Sequence, residues 1–196
     1  MKKYISIAIL ILSLLFSGCV TKLVNYPLPI TFVLQFPVST SVTNFSSQGV
    51  LSGQILAGEI LNQLEGVSLK DIQDITLEAV AFTVRNASDL SPNFTGQLEV
   101  AYGNTNFVKL LDMNNVNIGQ IQGQPQSVDL RPAAVQLINN AVENILMSNS
   151  LQNILFRTQG TLNPPPSGTL NFVLEIELTI TTVVQQEQDI FDPLGG

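Results

Sequence analysis

The sequence predicts a mainly β protein, an antiparallel β-sandwich that carries two amphipathic helices, and three observations predict it. Apolar residues recur at every second position in long runs, as on one face of a pleated strand. Turn-forming clusters join these runs, rather than a helix after every strand, which argues against a parallel α/β sheet. The apolar period changes to three and four residues in two stretches, near 50–65 and 132–147.

The first strand opens the domain: Ile30, Phe32, Leu34, Phe36 and Val38 share one face. Pro37 cannot donate to a ladder, so it puts that part of the strand at an edge or an end. Between Gln48 and Leu64, the residues Val50, Ala57, Ile60, Leu61 and Leu64 fall within one arc of a 3.6-residue helix, with Glu59, Asn62 and Gln63 opposite. A helix ending at Gly66 is expected, although Gly53 and Gly58 each cost up to about 1 kcal/mol against alanine.

From Ile72 to Val84 the apolar phase changes. Ile75, Leu77, Ala79 and Ala81 hold one phase and Val80, Phe82 and Val84 the other, so both faces are expected to be buried toward the end of this strand. Turn residues Asn86 to Asp89 and Ser91-Pro92-Asn93 follow. Phe94, Gly96, Leu98, Val100 and Tyr102 then alternate with Thr95, Gln97, Glu99 and Ala101 as an antiparallel partner. After the turn Gly103 to Asn106 come a strand over Phe107 to Leu111 and a further short one over Val116 to Ile121.

Pro132 suits the first position of a helix, and Val135, Ile138, Ala141, Val142, Ile145 and Leu146 continue it toward Ser148. Ile154, Phe156, Thr158 and Gly160 mark the next strand, before the turn Asn163-Pro164-Pro165-Pro166-Ser167-Gly168. The longest alternation runs from Leu170 to Val184, with Thr182 as its one polar inward residue. Unbroken, that strand is ~50 Å long, so it is expected to bend or to cross a sheet diagonally. Residues 30–184 thus form the sandwich domain, and the polar stretch 185–196 is expected to fray. The expected sandwich is an immunoglobulin or fibronectin III-like one or a related form.

Composition narrows the function. Charged residues are 12% of the chain, half the usual share, so its surface must be covered largely by Asn, Gln, Ser and Thr. Without residues 1–18, six Lys and Arg face 15 Asp and Glu, a net charge of −9. Such a body has no basic footprint for nucleic acid and is repelled by anionic head groups. Neither partner is expected.

The start of the chain follows its own pattern. Lys2-Lys3, the apolar run from Ile5 to Phe16, and Ser17-Gly18 lead to Cys19, the single cysteine. A charged start, an apolar middle and small residues before a cut site are what export and processing need. Residues 1–19 resemble a bacterial lipoprotein signal peptide, with Phe16 standing where Leu, Val or Ile is usual. The resemblance implies cleavage between Gly18 and Cys19, a lipid thioether on Cys19 with further acyl chains such as palmitate, and a place in the cell envelope. Val20 rather than Asp after the cysteine implies the outer membrane under the Gram-negative sorting rule. A transmembrane anchor fits less well, because a span needs roughly 20 apolar residues; an ordinary secretory signal with Cys19 as an incidental thiol stays open. One acyl chain binds a bilayer marginally and several bind it stably. Residues 19–29 would then be a tether, reaching ~30 Å at most.

Catalytic chemistry has little to work with. The chain contains no histidine, which removes Ser-His and Cys-His nucleophiles, His-ligated zinc and the commonest general base. Glu175 and Glu177 share a strand face and are the best candidate pair of carboxylates for acid and base work, yet a solvated sheet face alternates in the same way. Asp71 and Asp74, and Asp89 with Asn86 and Asn93, are oxygen-rich enough to hold calcium, but turn chemistry explains them as well. The stripe from Val135 to Leu146 could face lipid or a partner; it lacks the lysines of a membrane-surface helix and reads as core. No catalytic residue, metal or cofactor is expected.

The order Ile75-Thr76-Leu77-Glu78-Ala79-Val80-Ala81-Phe82-Thr83-Val84-Arg85-Asn86, then Phe94 to Tyr102, then Arg157-Thr158-Gln159-Gly160-Thr161-Leu162 leading into Leu174 to Thr181, is similar to uncharacterised bacterial lipoprotein β-sandwich domains. More distantly it resembles the late-embryogenesis-abundant type 2 (WHy) sandwich. The resemblance implies a sandwich and no catalytic residue. The expectation is a lipid-anchored, non-enzymatic binding or structural module whose partner is an envelope protein. The alternative is a carrier of hydrophobic ligand or lipid in a pocket between helices and sheet.

Overall fold

The alternating runs pair into two four-stranded antiparallel sheets whose apolar faces meet. The computed structural model describes residues 19–64, 67–103, 106–148 and 150–191, and the side chains of 21–188 within them. The expected signal peptide (1–18) and the helix stop at Gly66 lie outside the described residues. The strands are β1 (Cys19–Thr40), β2 (Asn44–Leu51), β3 (Ile72–Arg85), β4 (Asn93–Tyr102), β5 (Val108–Asn117), β6 (Gln126–Ser127), β7 (Ile154–Asn163) and β8 (Leu170–Phe191). The helices are α1 (Gly53–Gln63), the single turn α2 (Ile118–Ile121) and α3 (Pro132–Met147).

Sheet A has the order β1-β8-β3-β6 and sheet B the order β2-β7-β4-β5. This is the two-Greek-key connectivity of a jelly roll, so the chain takes a related sandwich form rather than the immunoglobulin one. Sequence-distant strands become neighbours: β1 pairs along its whole length with β8, from Cys19↔Phe191 to Thr40↔Leu170. The inward faces interdigitate around Phe36, Leu174 and Val84 of sheet A and Leu98, Val100 and Phe156 of sheet B, all buried. Phe45 meets Phe94 and Phe172 edge-on at centroid distances of 6.0 and 5.7 Å, tying the two sheets together. Gly160 makes room for this cluster, since a Cβ there would lie 2.7 Å from the Phe45 ring.

Two phase changes have one cause. In β3 the pairing with β8 shifts between Leu77 and Ala79, so Ile75 and Leu77 point inward before the bulge and Val80, Phe82 and Val84 after it. In β5 the pairing shifts twice, and Asn115 adopts φ 48°, a conformation asparagine tolerates. Val108–Asn117 is therefore one irregular strand, and the expected separate strand over Val116 to Ile121 is instead its end plus α2.

The first long helix starts later than its apolar spacing suggested. Val50 and Leu51 belong to β2, and the buried face of α1 is Gly53, Leu56 and Ile60, continued by Leu64. Leu61 is 43% exposed. Gly53 is required by packing, because a Cβ would lie 2.4 Å from the Gln152 carbonyl oxygen. α3 buries Ala134, Ile138, Ala141, Val142, Ile145 and Leu146, and packs on β3, β4, β5 and α1.

The ends of the chain differ most from expectation. Residues 19–29 and 185–191, expected as a tether and a polar tail, continue β1 and β8 in unbroken register. The pairing of β3 with β8 stops at Ile72↔Val184. Seven further pairs, Cys19↔Phe191 to Asn25↔Gln185, therefore continue as a two-stranded arm of about 20 Å, flanked near its base by Val67, Lys70 and Asp71. The physical reason is that each segment supplies the other's ladder, which neither shows alone.

Candidate functional site

Three regions carry the polar side chains of interest: the arm and the outer faces of the two sheets. Cys19 lies at the tip of the arm by its register position. The loops 41–43, 86–92 and 164–169 lie at the opposite end of sheet A, since β1 and β3 run away from the arm and β8 runs toward it. Among the described residues no helix is long and apolar enough to cross a membrane.

On the outer face of sheet A, Glu175 and Glu177 do share one side, but Glu175 is already engaged. Arg85 of β3 donates to its Oε2 at 2.7 Å and Gln35 of β1 to its Oε1 at 3.0 Å. The carboxylate thus clamps three adjacent strands, β1-β8-β3. Glu177 stands opposite Val33 and Ala81. Thr31 and Thr179 form another cross-strand pair at 3.4 Å. A carboxylate held between a guanidinium and an amide serves as a strut across the three strands.

The outer face of sheet B is organised in rows that cross all four strands. Register places Ser46, Gln159, Gln97 and Asp112 side by side, one from each of β2, β7, β4 and β5. One row toward α1, Gln48, Arg157, Glu99 and Lys109 are aligned in the same way. Arg157 binds Glu99 at 2.7 Å and lies 4.3 Å from the centroid of the Phe107 ring. Gln97 and Gln159 both donate their amide NH2 to Glu99, at 3.1 and 3.4 Å. Asp112 receives Arg131 at 2.6 Å and Lys109 at 2.9 Å. The hydrogen bond from Arg131, and then that from Lys109, holds the Asp112 carboxyl below the ordinary carboxylate range.

A groove of about 700 Å³ lies on this face, with Asn44, Ser46 and Thr161 on one side and Asp112 and Asn114 on the other. The side chains of Asn44, Ser46, Asn114 and Thr161 have no hydrogen-bond partner among the described residues. Sequence reading missed these residues as a group, because the strands that unite them are not consecutive. The signal present was the polar phase Thr95, Gln97 and Glu99 of β4.

The expected calcium-type oxygens are spent locally. Asp74 accepts from the Ile75 N–H at 2.9 Å and the Thr76 hydroxyl at 3.0 Å. Asp89 accepts from the N–H and the hydroxyl of Ser91, both at 2.9 Å. The backbone bond, with the hydroxyl second, lowers its pKa. Asn93 is bonded to Asn115 and Asn117, whereas at Asp71 it is the backbone N–H that is engaged, donating to the Ser68 carbonyl in a 3-10 turn. Among the described residues no three His, Cys, Asp or Glu side chains gather as a metal would require. The space between the helices and the sheets is filled by the buried α1 and α3 stripes. A groove of about 570 Å³ runs along the outer side of α3, between Val135 and Met147 of the helix and Ile72 and Ile75 of β3.

No protein-family model matches the chain, and no curated protein matches it. Among solved structures it is similar to that of Desmodium yellow mottle tymovirus, at 12% identity over 87% of this chain and 92% of the other, with a TM-score of 0.34. The decameric BFDV capsid protein is also 12% identical, over 81% and 99%, with a TM-score of 0.34. The turnip yellow mosaic virus structure is 15% identical over 83% and 98%, with a TM-score of 0.21. The sheet order by itself, with eight strands among the described residues, makes this an antiparallel jelly-roll sandwich.

Proposed function

We propose that the chain is a non-catalytic binding or structural module of the cell envelope, held at a membrane by lipid on Cys19. One observation carries the reading: Lys2-Lys3, an apolar run and Ser17-Gly18 lead to the single cysteine. The arm supports it, because an acylated residue 19 would sit about 20 Å beyond the end of the sandwich proper, clear of its core. In that arrangement the loops at the far end of sheet A would point away from the bilayer. Val20 after the cysteine favours the outer membrane in a Gram-negative host.

Radiolabelled palmitate tests the anchor. The full chain should take up label and sediment with membranes, and a Cys19→Ser chain should lose the label and enter the soluble fraction. A Cys19→Ser chain that sediments as before would remove the proposal. The carrier alternative draws on the groove along α3, where Ile72, Ile75, Val135 and Met147 offer an apolar lining. Native mass spectrometry of the purified chain, with lipid retained beyond the covalent anchor, is the result that would favour it.

A further inference from the structure

We propose that the outer face of sheet B binds a neutral oligosaccharide, with the groove between Ser46 and Asn114 as the site. This deepens the binding-module reading by naming a ligand class, and it rests on that reading only for the role of the chain as a binder. The proposal starts from a contrast between the two outer faces. Across sheet A, Thr31 meets Thr179, and Gln35 and Arg85 both meet Glu175. On sheet B, Asn44, Ser46, Asn114 and Thr161 border a groove and have no partner among the described residues.

The lining matches what a sugar offers. Each saccharide hydroxyl both donates and accepts, and an amide presents one acceptor and two donors in one plane. Gln97 and Gln159 stand side by side in the groove with their NH2 groups turned to Glu99, which fixes the amide planes and leaves both carbonyl oxygens as acceptors. Strands about 4.8 Å apart, with like-facing residues about 6.8 Å apart along each, spread these groups as a regular lattice. A lattice of fixed polar groups suits a ligand that carries hydroxyls along its length. Gly96 and Gly160 line the groove as well, and with no side chain there the sheet backbone forms part of its floor.

Charge decides against ionic ligands. Glu99 is neutralised by Arg157, and Asp112 by Arg131 and Lys109. A phosphate or carboxylate ligand would have to break those pairs to gain its own. The volume, about 700 Å³, lies within the ordinary range of small-molecule sites.

The test uses the full chain, purified in detergent, and cellotetraose, maltotetraose and chitotetraose at millimolar concentration. At least one sugar should shift the NMR side-chain amide signals of Gln97, Gln159 and Asn114. Ser46→Ala with Asn114→Ala removes groups that have no internal partner, and should weaken binding about tenfold, the equivalent of one to two lost hydrogen bonds, at an unchanged melting temperature. No shift with any of the three sugars overturns the proposal, as does binding that the double variant leaves unchanged. Lipidation of Cys19 does not enter this readout, so loss of the anchor and loss of the sugar site are separately visible.

Discussion

Thr83 and Thr182 are buried to the same degree in sheet A and are expected to respond oppositely to the same substitution. The Thr83 hydroxyl donates to the Ile121 carbonyl at 2.8 Å, whereas the Thr182 hydroxyl has no partner. A hydrogen bond contributes about 1 kcal/mol net, and a buried polar group without one costs about 1–3 kcal/mol. Thr182→Val should therefore stabilise the chain, by up to about 1 kcal/mol, and Thr83→Val should destabilise it by about as much, since it strands the Ile121 carbonyl. Urea denaturation of both variants checks the pair; a loss of stability from Thr182→Val would show that its hydroxyl is satisfied in solution.

At the scale of elements, α1 separates legible from illegible sequence. Leu56 is fully buried and Ile55, its neighbour, is 60% exposed. Leu56→Ala should cost about 2–5 kcal/mol and Ile55→Ala within about 0.5 kcal/mol, as read by thermal melting of the two variants. The apolar stripe predicted a helix here and placed Ile60 and Leu64 on its inward face, where they are buried, but it missed Leu56 and took in the exposed Leu61 and Val50, which precedes the helix by three residues. α3 was read more closely, since Pro132 marks its start and its stripe is uninterrupted. β8 was clear as far as Val184, where one face of the strand is buried and the other wet. Beyond that point both faces are polar, and strand pairing depends on a partner at the other end of the chain. Alternation at Val24, Tyr26 and Leu28 was present in the supposed tether, but Pro27 and Pro29 disguised it. For the same reason Asp112 and Arg131, joined across β5 and the start of α3, gave no local sign of meeting.

On the scale of the whole molecule, those prolines explain how an exposed edge stays unpaired. β1 is the edge of sheet A, as Pro37 suggested. Pro27, Pro29 and Pro37 share one parity, and in an antiparallel strand residues of one parity aim their backbone groups to the same side. With the ladder to β8 unbroken, that side is the open one. Three donors are thus absent where another strand would add. Replacing all three prolines by threonine should let copies pair edge to edge, seen as dimers or larger species by light scattering at concentrations where the parent is monomeric; an unchanged mass would count against this role. The position of β8 has a different consequence, one of timing. It lies between β1 and β3, so the earliest-made strand of this sheet must wait for the latest-made one, and β3 waits too. A nascent chain therefore stays without half its sandwich until residues 170–191 have been made, and a chain cut short before Leu170 would present two orphaned strands to chaperones and proteases.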